Sequence, residues 1–124
     1  NMKSEIHSHK DLVVWQKSIK LCKLMYEFTE VFPAREMYGL ASQLRRAVIS
    51  ISSNIAEGRS RGTRKDFQHF LRMAYGSASE IETQLIIAGE LNFGNHDKRK
   101  EVTLLLSEVS KMLRAMISKL ETAN

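Results

Sequence analysis

A basic stretch in the middle of the chain contains the residues best suited to bind an anion. Between Arg45 and Arg72 there are seven lysines or arginines and two acidic residues, a net charge of +5. The whole 124-residue chain has the same formal net charge, +5, so the remaining residues sum to zero. Because the basic charge is local, it predicts a surface for an anionic partner. The seven residues are Arg45, Arg46, Arg59, Arg61, Arg64, Lys65 and Arg72.

The segment from Glu57 to Thr63 holds two glycines and two arginines, and a predicted helix follows it directly. The first turn of a helix presents unpaired N–H groups and the positive end of the helix dipole, which attract phosphate. Arg64 and Lys65 lie in that turn, where basic side chains oppose the dipole and cost helix stability. Their position favours a role in binding. The alternative is a solvated hairpin, with Gly58 and Gly62 supplying positive backbone angles.

The helix after this loop carries a polar face with a four-three-four-three spacing: Arg61, Lys65, Gln68, Arg72 and Tyr75. Residues at this spacing lie on one side of a helix. Such a face could contact phosphates, and Tyr75 could stack on a base. The alternative is an ordinary wet helix face, with Tyr75 covering the edge of the protein core.

Arg45 and Arg46 lie near the middle of a helix that must bury much of its circumference. Glu57 follows Arg46 by eleven residues, which places it on the same face about 16 Å away and out of reach. A neighbouring helix, another subunit or a nucleic acid must therefore satisfy the two arginines. We expect a bridge to an acid on the third helix, Glu80 or Glu82.

The sequence favours neither catalysis nor metal binding. Inward-facing Glu-x-x-His pairs, which build di-metal sites in helical bundles, are absent, and the nearest match is Asp66-x-x-His69. The single cysteine, Cys22, has no histidine beside it in the pattern and is expected to be a buried apolar residue. His7 and His9 lie in a polar segment, and His96 lies in a turn. We expect no enzymatic activity, no cofactor and no metal.

Composition predicts one domain in a reducing compartment. The chain has 43% hydrophobic and 27% charged residues, one proline and one cysteine, which is typical of a soluble globular protein without disulfides. We expect residues 1–10 to form a disordered or tag-like tail and residues 11–122 to form a single domain. With no signal peptide and no apolar run of membrane length, a cytoplasmic location is expected.

Hydrophobic periodicity predicts the first two helices. The first runs from Asp11, as N-cap, to Val31. It carries two apolar stripes, one through Trp15, Ile19, Cys22 and Tyr26, and one through Val14, Leu21, Met25 and Phe28. So wide an apolar face requires either a deep position in a bundle or a second subunit. The second helix is predicted from Arg35 to Glu57, with Gly58 as its C-terminal stop.

The third helix is predicted to begin at a capping box, Thr63 to Asp66, and its core stripe follows an unbroken three-four rhythm. The stripe consists of Phe67, Leu71, Ala74, Ala78, Ile81, Leu85 and Ala88. After a turn at residues 91–95, the fourth helix runs from Asp97 to Thr122. The short connections require antiparallel neighbours. The predicted fold is therefore an all-α, up-down-up-down four-helix bundle.

Several motifs in the chain resemble a known family. They are Trp15-Gln16-Lys17, Phe32-Pro33, Tyr38-Gly39-Leu40, Gln43-Leu44-Arg45-Arg46-Ala47, Ser53-Asn54-Ile55-Ala56-Glu57-Gly58, Gly76-Ser77 and Gln84-Leu85. Together they are similar to the bacterial four-helix-bundle proteins that are encoded in intervening sequences of 23S ribosomal RNA genes. The resemblance covers about residues 11–120, and the combined pattern QLRRA…SNIAEG is specific to that family.

The resemblance implies a helical bundle that assembles as a homopentameric ring. The family is similar to the accessory variability protein of diversity-generating retroelements, a basic pentamer that binds nucleic acid and a reverse transcriptase. Asn54 and Glu57 lie in the strongest part of the family pattern. In a ring, Glu57 of one subunit could pair with Arg45 or Arg46 of the next.

Two functions follow. The first is a non-enzymatic accessory protein that binds RNA or DNA largely independently of sequence, because no base-reading module is present. Its contacts would be Arg59, Arg61, Arg64, Lys65 and Arg72, with Tyr75 as a stacking group and Arg45 and Arg46 as further candidates. The alternative is an oligomeric scaffold that binds an acidic protein, such as a reverse transcriptase or a ribosomal component.

Overall fold

The structure is a computed structural model that describes residues 8–122. Within this range the chain forms four α-helices and two single 3-10 turns, and it contains no β-strand. The 3-10 turns span His9–Asp11 and Ala34–Glu36. The helices are α1 (Val13–Glu30), α2 (Leu40–Ser60), α3 (Arg64–Glu90) and α4 (His96–Thr122). The all-α fold with four helices is therefore confirmed.

Each helix packs against its two neighbours in the order α1, α2, α3, α4 and back to α1. Pairs of contacting residues fix the direction of every neighbour, because a residue early in one helix always meets a residue late in the next. Ser18–Ser52 and Thr29–Arg45 join α1 to α2, and Gly58–Phe70 and Gln43–Gln84 join α2 to α3. Gln68–Ile117 and Gly89–Arg99 join α3 to α4, and Lys17–Glu108 and Glu27–Lys98 join α1 to α4. All four neighbouring pairs run antiparallel, as the short connections predict.

Helix α1 buries one of its two predicted stripes completely and covers the other only in part. Val14, Leu21, Met25 and Phe28 are at most 1% exposed and form the centre of the core. Ile19 and Tyr26, from the other stripe, remain 43% and 42% exposed. Trp15 and Cys22, from the same stripe, are half-buried and pack against the core, so a single chain covers part of the second stripe and leaves Ile19 and Tyr26 exposed.

The predicted start of α1 was wrong. Asp11 ends a 3-10 turn instead of capping the helix, and Leu12 occupies the cap position without a side-chain hydrogen bond. Ser8 caps the 3-10 turn through a hydrogen bond that the Lys10 N–H donates to its Oγ at 3.0 Å. The His9 ring packs edge-on against Trp15, 5.0 Å between centroids. Residues 1–7, which include His7, lie outside the described residues.

Both predicted ends of α2 were also wrong. Pro33 leads into a 3-10 turn, so the α-helix begins only at Leu40, where Glu36 Oε1 accepts a hydrogen bond from the Leu40 N–H at 3.2 Å. At the other end the helix passes through Gly58, which is buried, and continues to Ser60. Gly62, with a φ of 86°, supplies the left-handed residue that terminates the helix.

The predictions for α3 and α4 are confirmed closely. Six of the seven α3 stripe residues are buried, and Phe67 is half-buried. Thr63 is the N-cap, and its Oγ1 accepts a hydrogen bond from the Asp66 N–H at 3.1 Å. The α3–α4 turn uses the left-handed residues Asn92 and Gly94. In α4 the buried residues are Val102, Leu106, Val109, Leu113 and Ile117.

Candidate nucleic-acid interface

Close packing of α2 on α3 sets the position of the basic residues around the α2–α3 connection. A Cβ atom on Gly58 would lie 2.7 Å from Phe70 Cβ, so only glycine allows the two helices to approach this closely. Arg59 consequently belongs to the last turn of α2, and only residues 61–63 connect the helices. Arg59 and Arg64 therefore lie on helix ends, and Arg61 is the C-cap residue of α2.

Aromatic side chains orient two of these arginines. The guanidinium carbon of Arg59 lies 5.9 Å from the centroid of the Phe67 ring, and that of Arg61 lies 5.0 Å from the Phe70 ring. Arg61 Nε also forms an ion pair with Glu57 Oε2 at 2.8 Å, in which both side chains are about half exposed. An exposed pair of this kind is weak and screened by salt, so it leaves Arg61 available to a stronger anion.

The first turn of α3 places two further cations beside them. Arg64 and Lys65 are both exposed. They follow the Thr63 cap, at the end of α3 where the dipole is positive. Arg59, Arg61, Arg64 and Lys65 thus lie around one short connection between two helices.

The predicted polar face of α3 is divided by α4. Gln68 Nε2 donates a hydrogen bond to the Ile117 carbonyl at 3.3 Å, and Arg72 forms an ion pair with Glu121. Tyr75 is half-buried and packs against the core. Lys65 stays on the exterior, whereas Gln68, Arg72 and Tyr75 turn toward α4, as expected if Tyr75 covers the edge of the bundle.

Arg45 and Arg46 lie about 21 Å further along α2 from Arg59 and have different environments. Arg45 Nε donates a hydrogen bond to Thr29 Oγ1 at 2.8 Å, and its guanidinium lies 4.5 Å over the Tyr26 ring. Arg45 therefore bridges α2 to α1 rather than to Glu80 or Glu82 on α3. Arg46 is exposed.

Two other residues of the family pattern have local partners. Asn54 Nδ2 donates hydrogen bonds to the carbonyl and the Oγ of Ser50, one turn earlier, at 2.9 and 3.0 Å. Glu57 pairs with Arg61 on its own chain. Within the chain, the ion-pair partner of Glu57 is thus the arginine four residues later, at the same end of α2.

Antiparallel packing gathers basic residues from distant parts of the sequence at the same end of the bundle. Residues 8–13, 57–72 and 112–121 meet there and carry eight basic and four acidic side chains; we call this surface the basic end. At the opposite end, residues 24–46 and 80–101 carry six basic and eight acidic side chains. Sequence reasoning missed the basic-end members Lys10, Arg114 and Lys119. Their positions near helix ends could have predicted their place on this surface, because an up-down bundle brings those helix ends together.

The described part of the chain offers little for metal or thiol chemistry. Among residues 8–122, no three His, Cys, Asp or Glu side chains come close enough to share a metal ion. Cys22 is half-buried between α1 and α2, with Sγ 3.5 Å from the Val48 carbonyl and 3.6 Å from Ser52 Oγ. Burial raises the pKa of the Cys22 thiol, which favours the unreactive neutral form. None of the described helices combines the length and the apolar character that a membrane span requires.

Four packed antiparallel helices with a basic end place the protein among small all-α bundle proteins. The model of the 23S rRNA-intervening sequence protein family matches residues 10–115, so the chain belongs to that family. It is also similar to the crystal structure of a protein of unknown function from the S23 ribosomal protein family of Bacteroides thetaiotaomicron. That likeness has a TM-score of 0.76 and 24% identity, and it covers 85% of this chain and 98% of the other. It supports the fold alone. No curated protein matches the chain.

Proposed function

We propose that this protein is a non-enzymatic accessory protein that binds the phosphate backbone of RNA or DNA through its basic end. The observation that supports the proposal is the uneven distribution of charge along the bundle, with eight basic against four acidic residues at one end and six basic against eight acidic residues at the other. Phosphate contacts of this kind carry most of the affinity for nucleic acid without reading its sequence.

The side chains of the α2–α3 connection suit such contacts. Arginine guanidinium groups bind phosphate through planar, bidentate hydrogen bonds. Phe67 and Phe70 lie against the guanidinium groups of Arg59 and Arg61, which reduces the conformational entropy that these long side chains lose on binding. Lys65 and the positive end of the α3 dipole add attraction at the same place. Phosphate contacts do not depend on base identity, so we expect the binding to be largely independent of sequence.

We further propose that the subunits form the homopentameric ring that the family resemblance implies. Exposed apolar side chains on the outer face of α1 and α2 support an interface there: Ile19, Tyr26 and Ile49 are each between 42% and 44% exposed. A closed ring would collect five basic ends and raise the local density of positive charge. Sedimentation should then give the mass of five chains, and Ile49→Asp should reduce the assembly.

The binding proposal is tested by reversing the charge of Arg59, Arg61 and Arg64 to glutamate together. The matched control reverses Lys23, Lys100 and Lys111, which are exposed and lie outside the basic end. Each triple variant lowers the formal net charge from +5 by six units, to −1. Binding of a generic single-stranded RNA and a generic DNA duplex is measured by gel shift at low salt, with circular dichroism as the check on folding.

The proposal predicts loss of binding in the basic-end variant and retention of most binding in the control. Equal loss in both folded variants would show that net charge alone is responsible and would contradict a site at the basic end. Unchanged binding in the basic-end variant, or no binding by the native protein at low salt, would refute nucleic-acid binding through this surface.

A further inference from the structure

The groove between α1 and α4 has a composition that the basic end does not explain. It encloses about 560 Å³, and its floor contains Leu24 and Leu105, which are half-buried and pack against the core. Leu104 stands at its rim and is 72% exposed. A leucine this exposed, beside two others in a concave surface, is a contact that the single chain leaves uncovered.

Two further apolar residues, at the start of α1 and at its C-cap, share a line along the helix with the groove residue Leu24. Val13, Leu24 and Val31 are eleven and seven residues apart, which equals about three and two helical turns and places them on one line roughly 27 Å long. Val13 and Val31 are 53% and 66% exposed. Lys17, Lys20 and Glu27 lie between these three residues on the same side of the helix. The row therefore alternates apolar and charged side chains, which a partner helix with apolar and acidic side chains on one face would complement.

Every acidic residue that lines the groove forms an ion pair. Lys17 Nζ lies 2.8 Å from Glu108 Oε2 across the groove. Lys98 Nζ lies 3.2 Å from Glu27 Oε1, also across it, and 3.4 Å from Glu101 Oε1. Two of these pairs cross the groove, and Glu27 and Glu101 share Lys98, so two lysines serve three carboxylates.

Two lysines of the α1 wall have no such partner. Lys20 and Lys23 line the groove and are exposed, and neither forms an ion pair with any described residue. The groove is lined by four lysines and three glutamates, a net charge of 4 − 3 = +1, and the two unpaired lysines shortly precede Leu24 in the sequence of α1. A helix with apolar residues on one face and glutamate or aspartate along the edge of that face would complement both features.

We propose that the α1–α4 groove is a docking site for an acidic amphipathic helix of a partner protein. The leucine and valine row would bury the apolar face of that helix, and Lys20 and Lys23 would pair with its acidic edge. The site is distinct from the basic end and does not depend on nucleic-acid binding.

The probe is a synthetic helical peptide of about 20 residues, long enough to span the row, with leucine on one face and glutamate along both edges. The comparison peptide carries lysine in place of every glutamate. Fluorescence anisotropy with the full chain should show at least tenfold weaker binding of the lysine peptide. Leu104→Asp, and separately Lys20→Glu with Lys23→Glu, should each weaken binding of the glutamate peptide at least tenfold.

Matched controls are Ile86→Asp, an exposed apolar residue on the α3–α4 side, and Lys100→Glu with Lys111→Glu. These should leave peptide binding within twofold of the native protein, and Leu104→Asp should leave RNA binding unchanged. Failure of the glutamate peptide to bind, equal binding of both peptides, or equal losses in the control variants would overturn the proposal. If Leu104→Asp instead converts a native oligomer into monomers, the groove is occupied by a second copy, and the partner-helix proposal is wrong.

Discussion

Gly58 lies directly against Phe70, so close that a Cβ on the glycine would come within 2.7 Å of the phenylalanine Cβ and 3.3 Å of the Phe67 carbonyl oxygen. This contact brings the last turn of α2 against the first turns of α3. It also places Phe67 and Phe70 beneath the arginines that follow Gly58, at 5.9 and 5.0 Å. The position of these arginines at the basic end thus depends on residue 58 being a glycine, which has no side chain.

Gly58→Ala should destabilise the protein by about 1–3 kcal/mol, because a methyl group inserted against a packed backbone forces the helices apart. Urea denaturation measures the change. The matched control is Gly76→Ala in α3, where a Cβ would meet nothing within 4 Å. That change should stabilise the helix by about 0.5–1 kcal/mol. Equal stability of the two variants would contradict the close approach of α2 and α3.

Arg45 and Arg46 are adjacent in sequence and should differ in their effect on stability. Arg45→Ala removes the hydrogen bond to Thr29 and the contact with the Tyr26 ring and should cost about 1–2 kcal/mol of unfolding free energy. Arg46 is exposed, and Arg46→Ala should change stability by no more than about 0.5 kcal/mol. Thermal and urea unfolding of both variants would measure the difference.

Thr29→Val provides the complementary test of the Arg45 bridge. If the bridge exists, the costs of Arg45→Ala and Thr29→Val overlap, and the double variant loses less than the sum of the two. Strict additivity would show that Arg45 does not act through Thr29. Equal sensitivity of Arg45 and Arg46 would instead point to a shared role at an interface between subunits.

The sequence predicted the parts of the fold that depend on local pattern. The three-four rhythm from Leu71 to Ala88 located α3, and Thr63 marked its first turn, because caps and periodicity are properties of neighbouring residues. Gly58 misled because a glycine near a helix end usually stops the helix. Its actual role is to allow contact with Phe70, and that contact joins residues on different helices.

The same difference, between information in neighbouring residues and contacts between helices, explains which residues of the candidate site the sequence predicted. The cluster of Arg59, Arg61, Arg64 and Lys65 was visible because these residues are close in sequence. The sequence did not predict that Lys10, Arg114 and Lys119 belong to the same surface, because that prediction requires knowing which helix ends meet. The different environments of Arg45 and Arg46 were not predicted either, because they depend on which side of α2 faces α1.

Salt dependence should report how many phosphates the basic end contacts. If one subunit makes about three contacts, the slope of log affinity against log salt should be roughly −2 to −3. Lys65→Ala, which removes one exposed cation of the cluster, should make the slope shallower by about 0.7 to 0.9. An affinity that does not depend on salt would contradict phosphate binding. A slope unchanged by Lys65→Ala would exclude Lys65 from the contact.

Cys22 should make stability depend on pH in the alkaline range. Desolvation raises the pKa of its thiol above the ordinary value of 9.0, and the hydrogen bond with Ser52 opposes this only in part. Between the unfolded and the folded pKa, the unfolded chain has lost the thiol proton and the folded chain retains it. The unfolded state therefore binds fewer protons, and unfolding free energy falls as pH rises from about 9. Below that pH the contribution is fully present.

Urea unfolding between pH 7 and 10 should show the decline in the native protein, and Cys22→Ala should show a smaller one. Parallel pH profiles for the two proteins would mean that the thiol is solvated in the folded state, and this would contradict its packing between α1 and α2.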